Sequence, residues 1–195
     1  MNYQRGNYQD KWRIERLAAE IRARIGLDQL DVLDPHALVE HYDVRLFHLR
    51  DLIGNDEVAL HRARRIGFDG AASAHPETGE LMILLNCGKP ERRRTATLME
   101  ELAHLILQHE PSRIEPDGQL GLVRRKFDRS QEHEAYDLGS AMLLPKERIQ
   151  RDVKEHQALV EAIADAHGCS TDLVGYRIRR LRLWNRYTTY ARAAS

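Results

Sequence analysis

One stretch of the sequence, Leu98–His109, constrains the fold most, because its polar residues fall on one narrow arc of a predicted helix. At roughly 100° per residue, the apolar residues of the stretch occupy the rest of the circumference. A surface helix normally has the opposite balance, with an apolar stripe and a broad polar face. We therefore expect a mostly buried helix whose polar arc faces a cleft. The residues of this arc are Glu100, Glu101, His104 and Gln108.

Carboxylates on a buried helix need a partner, because an unpaired buried charge is costly. Glu100 and His104 are spaced i, i+4, which makes them neighbours on the helix surface. Carboxylate oxygen and imidazole nitrogen are both metal ligands, so the pattern predicts a metal site. The alternative is an ordinary Glu–His pair on a helix surface, which stabilises a helix by only about 0.2–0.5 kcal/mol.

Composition sets limits on the class of protein. The 195 residues are enough for one hydrophobic core, and 30 Lys and Arg balance 30 Asp and Glu. Net charge therefore gives no argument for binding a polyanion. Cys87 and Cys169 are too few for a disulfide framework and lack the paired spacing of a thiolate zinc site. Because no apolar run reaches membrane-spanning length, we expect a soluble, cytoplasmic protein with no membrane partner.

The periodicity of apolar residues predicts a single domain over residues 12–185, between a polar N-terminal tail (1–11) and a C-terminal tail (186–195). Residues 66–74 and 81–86 are predicted to form a hairpin, in which the more apolar second strand is central. Helical spacing elsewhere predicts five or six helices. The expected fold class is α+β, with these helices packed on a small, mostly antiparallel sheet of about three strands.

A second carboxylate in an apolar stripe lies on the helix predicted over residues 130–144. Glu134 shares a face of that helix with Leu138 and Ala141. If this face is buried, Glu134 also needs a partner. From the residues alone, a nearby arginine is the simplest partner.

The helix predicted over Leu98–His109 carries an altered metallopeptidase motif. A helical His-Glu-x-x-His holds zinc through two imidazoles, and its glutamate deprotonates a metal-bound water. In this chain glutamate, Glu100, stands at the first histidine position, followed by Glu101 and then His104. The i, i+4 geometry is unchanged and a carboxylate is an acceptable zinc ligand. We therefore expect metal binding that is weakened or altered in preference.

Several segments, taken in order, resemble the ImmA/IrrE family of metallopeptidases. The resemblance covers roughly Leu17 to Leu183, and it is carried by the series of segments and not by a single motif. The matching segments are the strand at 83–86, the basic lead-in at 92–98, the metal helix with its apolar continuation at 105–109, the helix at 132–145, and a closing helix pair around 167–181.

The resemblance implies a minimal zincin-like metallopeptidase fold and a metal-dependent endopeptidase. It assigns Glu101 as general base and His104 and Glu134 as metal ligands, with Glu100 in place of the expected histidine. The implied cofactor is one divalent metal, with Zn²⁺ as first choice. One imidazole and two carboxylates form a harder donor set, so Mn²⁺ and Fe²⁺ are alternatives, and an altered site could also have lost its ion. The implied partner is a protein substrate, such as a repressor encoded by a neighbouring gene in a mobile-element, stress or toxin–antitoxin setting.

Two other histidines are weaker candidates as metal ligands. His109 is expected at a helix end and His133 on a solvated face. Either could nevertheless supply the imidazole that is absent at position 100.

The closing helices, within residues 155–184, also fit a helix-turn-helix. Their basic residues could contact DNA or a partner protein. We prefer a structural interpretation, because the family has a similar helix pair inside its peptidase domain. These arginines nevertheless leave a second class of function as an alternative. In this alternative, the protein is a catalytically impaired relative that binds a protein or DNA as a regulator. The basic residues in question are Arg177, Arg179, Arg180 and Arg182.

Overall fold

The main sheet is built around its most apolar strand, which is central as the sequence predicts. The computed structural model describes residues 8–75, 77–110, 113–117, 122–126 and 128–192. The order of the strands is β1 (Arg45–His48), β3 (Leu81–Leu85), β2 (Gly70–Ala74). Strands β2 and β3 form the predicted antiparallel hairpin, with Ala72 opposite Ile83. Strand β1 pairs with β3 in parallel, and Leu46 also lies opposite Ile83.

The predicted fold class, α+β with a small sheet, is confirmed, but the sheet is mixed and not mostly antiparallel. A parallel pair of strands requires a crossover connection. Here the chain leaves β1 through α3 (Leu49–Ile53) and α4 (Glu57–Arg65) and reaches the far edge of the sheet as β2. The hairpin then returns the chain to the middle as β3. Strand β2 is therefore an edge strand of this sheet.

A second, two-stranded antiparallel ladder follows in the chain, and the sequence did not predict it. It consists of β4 (Arg113–Asp117) and β5 (Leu122–Lys126). Ile114 lies opposite Arg125 in the register of this ladder.

The described residues contain ten helices, more than the five or six predicted, because several are short. The side chains of Asp34 and Ser170 cap two of these helices: Asp34 accepts a hydrogen bond from the backbone of His36, and Ser170 accepts one from the backbone of Leu173. The remaining helices are α1 (Tyr8–Arg24), α2 (Pro35–His41), α5 (Glu91–Ile106), α6 (Arg129–Leu143), α7 (Lys146–Lys154), α8 (Val160–Ala166), α9 (Thr171–Arg180) and α10 (Trp184–Ala191).

Both segments predicted as tails are partly helical. Helix α1 begins at Tyr8, whereas residues 1–7 lie outside the described residues. Helix α10 extends to Ala191, with residues 193–195 outside the described part. Tyr187 is buried, and the Tyr190 hydroxyl donates a hydrogen bond to the carbonyl of Ala158 at 2.9 Å. These aromatic contacts pack the segment against the domain, which its polar composition did not indicate.

Helix α5 packs against both the sheet and α6, and α1 packs against α6. The buried Arg22 guanidinium joins α1 to the end of α6, donating to the carbonyl of Met142 at 2.8 Å. The same guanidinium donates to the carbonyls of Asp28 and Asp31, each at 2.7 Å. Helix α1 is thus a fixed neighbour of α6.

None of the helices within the described ranges combines the length and the apolar character needed to cross a bilayer.

Candidate metal centre

Helix α5 has the cross-section that its sequence predicts. The apolar side of the helix is buried. Its residues are each at most 4% exposed, namely Leu98, Met99, Leu102 and Ala103. On the opposite side Glu100, Glu101 and His104 are half-buried and face the start of α6 and the start of β2. The polar arc is therefore enclosed by other elements.

The Glu100 carboxyl lies in a strongly negative, partly dehydrated environment. Its pKa is raised to about 7, chiefly by burial and then by the nearby carboxylate of Glu132. The positive charge of Arg93 lowers the pKa of Glu100 without cancelling these effects. A negative charge at Glu100 is thus unfavourable unless a cation lies close by.

Arg93 is held beside this site by Asp69, and neither residue is expected at the site from the sequence. The Asp69 carboxylate accepts hydrogen bonds from Arg93 at 2.7 and 3.2 Å and lies 2.8 Å from Nζ of Lys89. Burial alone would raise the pKa of Asp69, but the hydrogen bonds from Lys89 and Arg93 outweigh it, and the net pKa is lowered. This cluster links the entrance of β2 to the first turn of α5.

The expected general base, Glu101, lies directly against strand β2. A β-carbon at Gly70 would lie 3.3 Å from Cγ of Glu101 and only 2.7 Å from Cγ2 of Thr97. Glycine is therefore required for β2 to approach this face of α5 so closely. The arrangement places the Glu101 side chain beside the first residue of the edge strand.

The end of α5 brings His109 back onto His104. Gln108 has a positive φ of 55°, and the His109 amide donates to the carbonyl of His104 at 3.0 Å. The Gln108 amide donates to the carbonyl of Leu105 at 3.1 Å, which completes a Schellman motif. As a result Nδ1 of His109 lies 3.0 Å from Nδ1 of His104. From the sequence, His109 is only a weak candidate for a metal ligand.

Glu134 is engaged by two partners from other elements. One carboxylate oxygen forms an ion pair with Arg13 of α1, and the other lies 3.3 Å from Nε2 of His109. The arginine partner that the residues alone predicted for Glu134 is thus present. Glu132, which is not among the residues predicted from the sequence, is nearer to the motif, with Oε1 3.8 Å from Nε2 of His104.

The donor types around α5 suit a divalent cation, since carboxylate and imidazole are both ligands of Zn²⁺, Mn²⁺ and Fe²⁺. Within the described ranges, however, no three His, Cys, Asp or Glu side chains are arranged to hold one. The α6 carboxylates face the outer nitrogens of the two imidazoles, and Arg13 neutralises Glu134. In this arrangement the two imidazoles and the two α6 carboxylates are paired with one another and with Arg13.

The other sequence candidates lie away from this group. His133 is exposed on α6, as expected. Arg177 is only 1% exposed and pairs with Glu15 of α1, so it has no surface for a partner. Arg180 pairs with Asp137 of α6. The structural interpretation of the closing helices accounts for these two arginines.

The two remaining arginines are exposed. The Arg179 guanidinium stacks on Trp184 at 3.9 Å from the ring centroid. Arg182 has a positive φ of 61° directly after α9.

Comparison with known proteins gives one family match. The family model Peptidase_M78, described as the IrrE N-terminal-like domain, matches residues 40–179. This range contains the main sheet, α5 and α6 and reaches into α9. No curated protein matches the chain.

Proposed function

The chain belongs to the Peptidase_M78 family, the IrrE N-terminal-like peptidases, and from that premise we propose that it is a metal-dependent endopeptidase of protein substrates. Family membership supports a metallopeptidase-like function. The observation that carries the finer proposal is the half-buried face of α5, on which Glu101 lies between Glu100 and His104 and next to the edge strand β2. A base, metal-ligand side chains and an edge strand thus occur together.

We propose His104, Glu100 and Glu134 as the residues that hold the ion, with His109 as a further candidate. A divalent cation supplies Lewis acidity, which polarises a peptide carbonyl and lowers the pKa of a water. Zn²⁺ is the first choice, and Mn²⁺ or Fe²⁺ suit the two carboxylates well. Glu101 then takes the proton from the attacking water and passes it to the leaving amine.

Strand β2 supports a peptide as the substrate. An extended segment can bind to an exposed strand edge through main-chain hydrogen bonds, independently of most of its side chains. Because β2 lies against Glu101 at Gly70, a segment added to β2 would run past the base. A regulatory protein in the cytoplasm, such as a repressor encoded by a neighbouring gene, is the substrate we propose.

A second candidate function is a catalytically impaired relative that binds a protein or DNA. Two observations favour it: glutamate stands at the first histidine position, and Arg13 neutralises the Glu134 carboxylate. Both features lower the affinity expected for a cation.

The test combines metal binding with cleavage by the full-length, untagged protein. We expect Zn²⁺ or Mn²⁺ to bind and new N-termini to arise in a mixture of unfolded proteins, detected by terminal labelling and mass spectrometry. Glu101→Gln should reduce cleavage by about 10²–10⁴-fold, the usual contribution of a general base, while metal binding persists. Glu91→Gln, an exposed change in the first turn of the same helix, is the matched control.

The outcomes separate the two candidates. Cleavage that Glu101→Gln leaves unchanged would contradict the peptidase assignment. Failure of the wild-type protein to bind metal or to cleave any protein supports the impaired relative instead.

A further inference from the structure

The end of the chain is strongly basic, although the protein as a whole has no net charge. No Asp or Glu follows Asp172, whereas six arginines do. Because basic and acidic residues are equal in number over the whole chain, the residues before this end carry the compensating negative charge. A charge asymmetry of this kind is typical of a chain whose end binds a polyanion. The six residues are Arg177, Arg179, Arg180, Arg182, Arg186 and Arg192.

Two of these arginines have carboxylate partners within the fold. Arg177 is buried and pairs with Glu15, and Arg180 donates to both carboxylate oxygens of Asp137. The other four are exposed, at the end of α9, in the turn that follows it and on α10. We call these four residues the basic surface, namely Arg179, Arg182, Arg186 and Arg192.

The exposed face of α10 has no group that would repel a negatively charged ligand. Its residues span an arc of about 120° at the helical spacing of about 100° per residue. Arginines lie at the two edges of this arc, and an amide and a hydroxyl lie between them. Side chains of these types contact phosphate oxygens in complexes with DNA. The exposed residues are Asn185, Arg186, Thr189 and Arg192.

Neighbouring elements leave the positive charge of the basic surface in place. Arg186 donates to the carbonyl of Lys154 at 3.0 Å, at the end of α7, where the charges of Lys154 and Glu155 cancel. Asp172 lies in the first turn of α9, about 10 Å along the helix axis from Arg179. The four arginines therefore present a net positive charge to solvent.

The composition of this surface favours a nucleic acid over an acidic protein. Protein interfaces have an apolar and aromatic centre. None of the exposed large apolar side chains lies on α9 or α10. Arginine instead offers a planar fork of N–H donors that matches the oxygens of a phosphate group. The surface therefore has the chemistry of a phosphate-binding site and lacks the centre of a protein interface.

The aromatic side chains nearby favour double-stranded over single-stranded DNA. Proteins that bind single strands stack the bases on accessible aromatic rings. Here the Arg179 guanidinium stacks on Trp184 at 3.9 Å, and Tyr187 packs against the same ring with the centroids 5.2 Å apart. Tyr187 itself is buried. These rings are engaged within the protein, whereas the arginines are directed to solvent.

We propose that the basic surface binds the phosphate backbone of double-stranded DNA without reading its sequence. This contact goes beyond the proposed peptidase activity, because it involves neither the metal centre nor Glu101. It keeps the protein on DNA whether or not the metal centre is active.

The first experiment measures how salt weakens the binding of the full-length, untagged protein to a short fluorescein-labelled duplex, by fluorescence anisotropy. Affinity falls with salt with a logarithmic slope of about −0.9 for each phosphate that is neutralised. Four contacts therefore predict a loss of about 150-fold between about 50 and 200 mM salt for wild type. Arg186→Gln combined with Arg192→Gln removes two contacts, so the loss should fall to about 12-fold.

The matched control combines Arg50→Gln with Arg62→Gln, which removes the same charge from exposed positions on α3 and α4. This control should keep the salt dependence of wild type. Arg182→Gln tests a further position of the basic surface, and its slope should be less steep than that of wild type by about 0.9. Circular dichroism of each variant checks that it is folded.

The second experiment distinguishes DNA from an acidic protein segment. Unlabelled duplex and poly-glutamate are added to the complex of protein and labelled duplex at equal concentrations of negative charge. We expect the duplex to displace the labelled DNA and the peptide to leave it bound. Equal competition by poly-glutamate would assign the surface to acidic proteins and overturn the proposal.

Three further results would overturn the proposal: no binding by wild type at low salt, an equal change of slope in the α3–α4 control, or tighter binding of a single strand than of a duplex. Glu101→Gln should bind DNA as tightly as wild type. Failure of DNA binding and failure of the peptidase assignment are therefore observed separately.

Discussion

Gly139 of α6 lies directly on the backbone of Met99 in α5. A β-carbon at Gly139 would lie 2.6 Å from the Met99 carbonyl oxygen and 2.8 Å from its carbonyl carbon. The two helices that carry the candidate metal-binding residues therefore meet backbone to backbone, and no larger residue fits between them.

Gly139→Ala should lower the free energy of unfolding by about 1–3 kcal/mol, because the added methyl group meets rigid backbone and forces α5 and α6 apart. Gly175→Ala on α9 is the matched control, since its β-carbon would meet only the flexible end of Arg179, 3.2 Å away. That change should be neutral or stabilising by up to about 1 kcal/mol. Urea unfolding of both variants measures the difference, and equal stabilities would contradict the close crossing.

Glu15→Ala should cost about 3–5 kcal/mol of unfolding free energy, because it leaves a buried arginine charge without its partner. Arg177 is 1% exposed and donates to both carboxylate oxygens of Glu15, at 2.9 and 3.0 Å. The control is Glu20→Ala on the same helix, whose partner Arg16 lies 3.6 Å away on the surface. Such an exposed pair contributes at most about 1 kcal/mol. Chemical denaturation of both variants tests the contrast.

Acid should destabilise the protein through His167. The pKa of His167 is lowered to about 4, chiefly by burial and then by the Arg148 charge, with Asp152 partly offsetting both. The unfolded chain takes up this proton near its ordinary pKa of about 6.5. The contribution to stability is therefore complete above about pH 6.5, falls as the pH drops toward 4, and changes by roughly 3 kcal/mol over that window.

His167→Met should flatten this acid dependence, as measured by urea unfolding at pH values from about 4 to about 7. His156→Met is the control, because the side chain at position 156 is exposed. An equally steep acid dependence in His167→Met and wild type would refute the role of His167.

Arg13→Gln should raise Zn²⁺ affinity by up to about fivefold, equivalent to about 1 kcal/mol for an incompletely buried ion pair. The substitution releases the Glu134 carboxylate from its pair with α1. Arg16→Gln, also on α1 but paired with Glu20, is the control. Chelator competition measures both affinities, and an unchanged affinity in Arg13→Gln would show that the pair does not compete with metal.

Local patterns predicted much of the fold. The polar arc of α5 and the β2–β3 hairpin depend on residues that are close in sequence, and each agrees with the structure. The parallel pairing of β1 was not predicted, because it depends on how the crossover through α3 and α4 packs. Helix α10 was missed because its aromatic contacts are formed only with distant segments.

The sequence by itself determined which chemical groups are present on α5: two carboxylates and an imidazole on one arc, with glutamate at position 100. Their partners were decided by the tertiary structure. Arg13 reached Glu134 because α1 packs on α6, and His109 reached His104 because Gln108 adopts a positive φ at the end of α5. Periodicity specifies which face of a helix a side chain occupies, whereas the groups opposite that face depend on contacts between segments far apart in the chain.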